Sequence, residues 1–258
     1  MAEPDDSKDK AKIAASLRQT MAELVAARRA EPEFIEAKKA LRVFQNRRFA
    51  HTYADLARDP RYQDAIAFFL YELYGDADMT ARDTELVRVL PVMTKMLPAV
   101  ALQTIQGALA FEALSERLDS NVARCLGNTP LDETTYAAAF VSCGQRELRE
   151  RQMLDVGEIG RALDRMTRWP MIKTSLKLMR APARAAGLQT LQEFLESGYN
   201  AFASMRGADE FVATITRREA EIVERLFAGD PRLFDGEEGA DLGTESRKRT
   251  RPGIDFPV

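Results

Sequence analysis

Histidine and tryptophan each occur once, and cysteine twice, in the 258 residues of this chain. Each scarcity removes a class of chemistry. A single histidine, His51, cannot supply the two Glu-x-x-His motifs of a helical di-iron site. Cys125 and Cys143 fit no CxxC spacing, so no zinc site is expected. Two cysteines make no disulfide framework. They read as small buried hydrophobes in a chain suited to a reducing compartment. P-loop, dinucleotide, HExxH and GxSxG signatures are all missing. No run of about 18 apolar residues occurs, so no transmembrane helix is expected. The polar start MAEPDDSKDKAK lacks the apolar stretch of a signal peptide. Charge of one sign is lacking too. With 37 Lys+Arg against 40 Asp+Glu, the net charge of −3 gives no global pull toward nucleic acid or an anionic membrane. A cytoplasmic protein is expected, with no metal, no cofactor and no catalytic residue assigned.

Strand patterning is missing as well. Apolar and polar residues do not alternate, and β-branched residues do not cluster. Apolar residues instead recur at three- and four-residue steps, as in Ile13, Leu17, Met21 and Leu24. The expectation is an all-α, single multi-helix domain over 10–228, with about ten helices. They are placed at 10–29, 32–58, 60–74, 81–97, 98–126, 132–142, 145–168, 170–180, 182–205 and 209–228. Pro32, Pro60, Pro98, Pro170 and Pro182 each precede a helical pattern, where a missing N–H does no harm. Thr80 and Asp83 resemble a capping box, and Pro91 should kink the helix they open. Residues 1–9 and 229–258 are polar, charged and rich in Gly and Pro toward the C-terminus, so disordered termini are expected. The basic run Arg247, Lys248, Arg249 and Arg251 lies there and reads as a solvated tail.

The segment PRYQDAIAFFLYELYG at 60–75 is apolar nearly all round, which predicts a central buried helix ending at Gly75. Glu72 sits inside that surface and needs a partner or a polar cavity. The stretches HTYADLARDPRYQDAIAFFLYELYG (51–75), RVLPVMTKMLP (88–98), ALSERLD (113–119), GRALDRMTR (160–168), LMRAPARAAGL (178–188) and GADEFVATITRRE (207–219) together resemble the bacterial FFLEELY motif proteins. The resemblance spans most of residues 40–228. Tyr71 stands where the motif has Glu. The resemblance implies a homologous bacterial domain and adds no chemistry.

Two constellations merit testing. His51 and Asp55 are spaced i, i+4, close enough for a carboxylate to orient an imidazole. With Tyr53, Tyr62 and Glu72 they would line a pocket beside residues 68–74; the structural alternative is a salt-bridged polar face. Arg168, Arg180 and Arg184 surround a supposed helix start at Pro182, where an anion could bind; the alternative is a solvated face with surface ion pairs. Gly157 and Gly160 suggest close helix approach. Met93, Met96, Met166, Met171 and Met179 read as core packing, with a groove for an acyl chain or partner helix as the alternative. The leading expectation is a non-enzymatic helical protein binding another protein or itself, with no nucleic-acid partner. The alternatives are a protein binding a hydrophobic, anionic or haem-like small molecule, and an enzyme using His51 and Glu72.

Overall fold

The computed structural model describes residues 6–28, 32–73 and 79–234. Eleven α-helices and no strand are found among them. They are α1 (Asp6–Arg28), α2 (Ile35–Thr52), α3 (Ala54–Arg58), α4 (Gln63–Phe68), α5 (Thr80–Met96), α6 (Ala99–Leu126), α7 (Glu133–Ser142), α8 (Arg146–Thr167), α9 (Pro170–Ala185), α10 (Gln189–Ser204) and α11 (Asp209–Phe227). A 3₁₀ turn at Pro32–Phe34 precedes α2, and a π-helical turn at Phe69–Leu73 follows α4.

Apolar stripes set three clusters. One holds Leu17, Met21 and Leu24 of α1 against Leu86 and Leu90 of α5 and Leu102 and Leu109 of α6. A second holds Leu41, Val122, Leu126, Tyr136, Phe140 and Ile222. The third gathers Phe49, Tyr53, Ile66, Phe68, Leu70, Phe202, Phe211 and Ile215. Burying each such side chain contributes roughly 1.5–3 kcal/mol. α6 bridges the first two clusters and α11 the last two. α8 lies close to α11 because Gly160 has no side chain. A Cβ there would sit 2.6 Å from Val212 Cγ2.

Local chemistry sets several ends. Asp132 and Thr135 form a reciprocal capping box at the start of α7, each side chain bonding the other's backbone N–H at 2.8 and 2.9 Å. Gly187, at φ 65°, separates α9 from α10 in the left-handed region that glycine enters without strain.

The expected helix at 60–74 is split. Pro60 lies in a turn in which the Asp59 side chain accepts from Arg61 N, and α4 starts only at Gln63. The π turn follows, with the Asn46 side chain donating to Leu70 O at 2.8 Å. The wider turn rotates the face: Leu70 is buried while Tyr71 is 55% exposed. The expected 32–58 helix breaks at Tyr53. Asp83 does not cap α5, whose N-cap Met79 makes no side-chain bond; Asp83 is buried instead. The helix expected to start at Pro182 does not: α9 runs through it to Ala185. At the termini, residues 6–9 are helical. Leu233 is buried, and Phe234 packs edge-on against Phe44, both held by N–H bonds to the Glu133 carboxylate. Gly75 and the basic run at 247–251 lie outside the described residues.

Candidate functional site

The five residues proposed for a pocket do not converge. Tyr53 is fully buried, and its hydroxyl donates to Glu219 Oε1 at 2.8 Å. Arg48 pairs with the same glutamate oxygen. Asp55 does not orient His51. It takes a two-pronged contact from Arg218, at 2.8 and 2.6 Å, and that hydrogen bond holds its carboxyl below the usual range. Arg218 also donates to Thr52 O and lies over the Tyr53 ring at 5.6 Å. Tyr62 donates to Glu210 Oε2 at 2.7 Å. Desolvation, and then the Glu210 carboxylate, push its hydroxyl pKa up. Arg61 joins Glu210 and also clasps the Met205 and Gly207 carbonyls. His51 rests edge-on against the Phe234 ring, 5.5 Å between centroids. Glu72 is half-buried in the π turn, and no arginine pairs with it among the described residues.

The partners of Tyr53, Asp55 and Tyr62 therefore all come from α11: Glu210, Arg218 and Glu219. The polar face is a seam that locks the α2–α4 segment onto α11. The sequence signal for those partners was the acid and base spacing on α11, which reads equally as solvated surface.

The three arginines of the expected anion site are placed differently from that expectation. No helix begins at Pro182, so no ring of free N–H groups is presented there. Arg180 is committed to Glu196, Nε to Oε1 at 2.7 Å and Nη2 to Oε2 at 2.6 Å. Arg168 is committed to Asp164 at 2.5 Å. Arg184 is exposed.

A larger polar cluster was not foreseen. Between α1, α5 and α6, Arg28 pairs with Asp83 at 2.6 Å, with Glu116 at 3.1 Å, and with Glu112. Arg82, only 4% exposed, pairs with Asp83 at 2.8 Å and Glu112 at 2.6 Å. Lys38 and Arg42 of α2 close on Glu116 at 2.8 and 3.1 Å. Desolvation opposes the charge of Arg82, but Glu112 and Asp83 outweigh it and raise its pKa further. Arg82 also stacks over Phe194 at 4.7 Å. Every charge in this network has an opposite partner, which suits structure better than turnover.

Two surface clefts stand out among the described residues. One of about 420 Å³ lies between α1 and α6, lined by Ala26, Ala27, Ala113, Lys38 and Arg117 among others. A second of about 220 Å³ lies beside Trp169, with Val100, Met166 and Arg168. Neither is lined by residues 68–73.

Two further expectations change. Cys125 is exposed and Cys143 half-buried, with their sulfurs 2.7 Å apart, so they are not inert core hydrophobes. Met171 and Met179 are 66% and 41% exposed on α9, not core. Leu178, between them, is 71% exposed. α9 packs chiefly on α10 and α8, with Ala183 its buried residue and Ile172 and Leu176 half-buried.

Among the described residues no group of three or more His, Cys, Asp or Glu could hold a metal ion, and no helix is long and apolar enough to cross a membrane. Neither the curated proteins nor the solved structures contain a match to the chain. Residues 24–233 match the family model described as Domain of unknown function (DUF8198), and the chain belongs to that family.

Proposed function

We propose that the protein is a non-enzymatic helical binding protein, and that α9 is its docking helix. One observation carries this reading: an outward row on α9 that nothing among the described residues covers. Met171, Ser175, Leu178 and Pro182 follow one another at three- and four-residue steps and are all exposed. Leu178 is the most exposed large apolar side chain among the described residues. Lys173, Lys177 and Arg184 are exposed on the same helix. An exposed apolar row suits a protein segment that brings an apolar helical face of its own. Methionine in the row adapts to such a surface.

The charged clusters elsewhere support a binding role over an enzymatic one. His51 and Glu72 share no partner among the described residues, and neither lines either of the two clefts described above. Kinship with the bacterial FFLEELY motif proteins and a cytoplasmic setting belong to this proposal and rest on the sequence.

The test is site-specific photo-crosslinking from position 178 in the full chain, in cells. The expected product is one discrete adduct, with a partner protein or a second copy, that disappears when Met171 and Ser175, on the same row, are both changed to Glu. Diffuse labelling that ignores those two changes would overturn the reading.

A further inference from the structure

We propose that Cys125 and Cys143 form a reversible dithiol–disulfide site, oxidised by low-molecular-weight disulfides such as oxidised glutathione. The geometry is built by helix ends. Cys125 lies in the last turn of α6, and Cys143 is the C-cap of α7, its N–H bonded to Ala139 O at 3.0 Å. Beyond Cys143 the chain reverses through Gly144 and Gln145, both left-handed, at φ 65° and 60°. That reversal starts α8 and fixes where α7 ends. The side chain of Gln145 accepts from Asn121 of α6 at 3.0 Å, which holds the corner to α6. Below it, Leu126, Tyr136 and Phe140 share one buried cluster, so α6 and α7 cannot drift apart cheaply. The two sulfurs are left 2.7 Å apart across 18 residues of chain. A covalent S–S bond of about 2.05 Å is a further approach of well under one ångström from there.

The two thiols are not equivalent. Cys125 is exposed and open to a soluble disulfide. Cys143 is half-buried, and burial together with the Cys125 sulfur pushes its thiol up to about 12, so it is not the first of the two to attack. The exposed thiolate of Cys125 attacks first. One glutathione thiolate leaves, and Cys125 carries the mixed disulfide. With Cys125 in the mixed disulfide its charge no longer opposes ionisation of Cys143, whose thiolate attacks the Cys125 sulfur; the Cys125–glutathione bond breaks, and the second glutathione thiolate leaves and takes up the proton that Cys143 released. Two protein thiols and one glutathione disulfide become one protein disulfide and two glutathione thiols. The closed loop contains the α6–α7 connection and all of α7. It makes that corner resistant to opening without altering the fold, because the thiols already adjoin.

The experiment equilibrates the reduced full-length protein, natively folded, in a series of reduced and oxidised glutathione buffers. Thiols are then blocked, and intact mass and peptide mapping follow. The expected product is a monomer lighter by two hydrogens, with the 125–143 crosslink, reverting when reduced glutathione is restored. Its thermal midpoint is expected to rise by several degrees. Cys143→Ser should trap glutathione on Cys125, while Cys125→Ser should leave Cys143 largely unmodified. The proposal is overturned if both thiols stay free across the series, if Cys143 takes the adduct first, or if the product is an intermolecular dimer.

Discussion

Tyr53 and Asp55 sit two residues apart and are both held by α11, yet burial makes their bonds very different in worth. Tyr53 is fully buried, and its hydroxyl meets a glutamate that is itself only 15% exposed. A hydrogen bond to a charged group in such surroundings is worth about 1.5–3 kcal/mol. Tyr53→Phe is therefore expected to destabilise by about that amount in urea unfolding, the hydroxyl being the only group lost. The Asp55 side chain is 55% exposed, and water screens its pair with Arg218. Asp55→Asn is expected to lose less than about 1 kcal/mol in the same titration, as surface pairs do. If the two variants lost equal stability, the seam against α11 would be misplaced. Glu72 belongs with neither residue. Its half-exposed site follows from the π turn, which the sequence could not reveal, because an extra residue in a turn leaves no mark on composition.

At the scale of the element, the α8–α11 contact depends on a missing methyl. Gly160→Ala would place Cβ against Val212, which is 4% exposed and boxed in. Overpacking of this kind costs about 1–3 kcal/mol. Adding Val212→Ala should recover part of the loss, so a double-mutant cycle should show coupling of about 0.5–3 kcal/mol. Strict additivity would mean that the two positions do not touch. This approach was legible, since glycine repeated inside an amphipathic helix signals close packing. The course of α9 was not. Pro182 reads as a start, but it lies within the helix on an exposed side. The carbonyl it deprives of a donor belongs to Leu178, 71% exposed, where water can serve it. Pro91 in α5 follows the same pattern over Val87, 49% exposed. Both prolines mark an outward face, and sequence order alone does not say which face is outward.

The hold of α9 on α10 should also depend on pH. Desolvation disfavours the Glu196 carboxylate, but its bonds to Arg180 and Gln192 outweigh that, so its pKa lies below the ordinary 4.5. The contribution is thus fully present above the ordinary value and is lost as pH falls through it and below. Trp169, the only tryptophan, stands at the start of α9 and reports the change. Its fluorescence is expected to shift on titration from pH about 7 to about 3, with Glu196→Gln flattening the acid limb. An unchanged titration in that variant would assign the transition to another carboxylate.

For the whole molecule, the buried ion network acts where the apolar clusters leave off. It joins α1, α2, α5 and α6 through Arg28, Lys38, Arg42, Arg82, Asp83, Glu112 and Glu116. The all-helical class was legible from periodicity, because apolar spacing records which face is buried. The network was not, because a charge inside a core and a charge on a surface are written with the same residues, and only tertiary structure pairs them. Its logic is conditional. A buried pair adds little against an apolar substitute, but a partner removed alone leaves an uncompensated charge, at about 3–5 kcal/mol. Asp83, 3% exposed, serves both Arg28 and Arg82. Asp83→Asn is therefore expected to destabilise by about 3–5 kcal/mol in thermal and urea unfolding. The Arg82→Met, Asp83→Leu double variant, which removes a cation and an anion together, should lose markedly less. If the double variant were the less stable of the two, the network would be acting as a net source of stability, and its charges would then matter for more than mutual neutralisation.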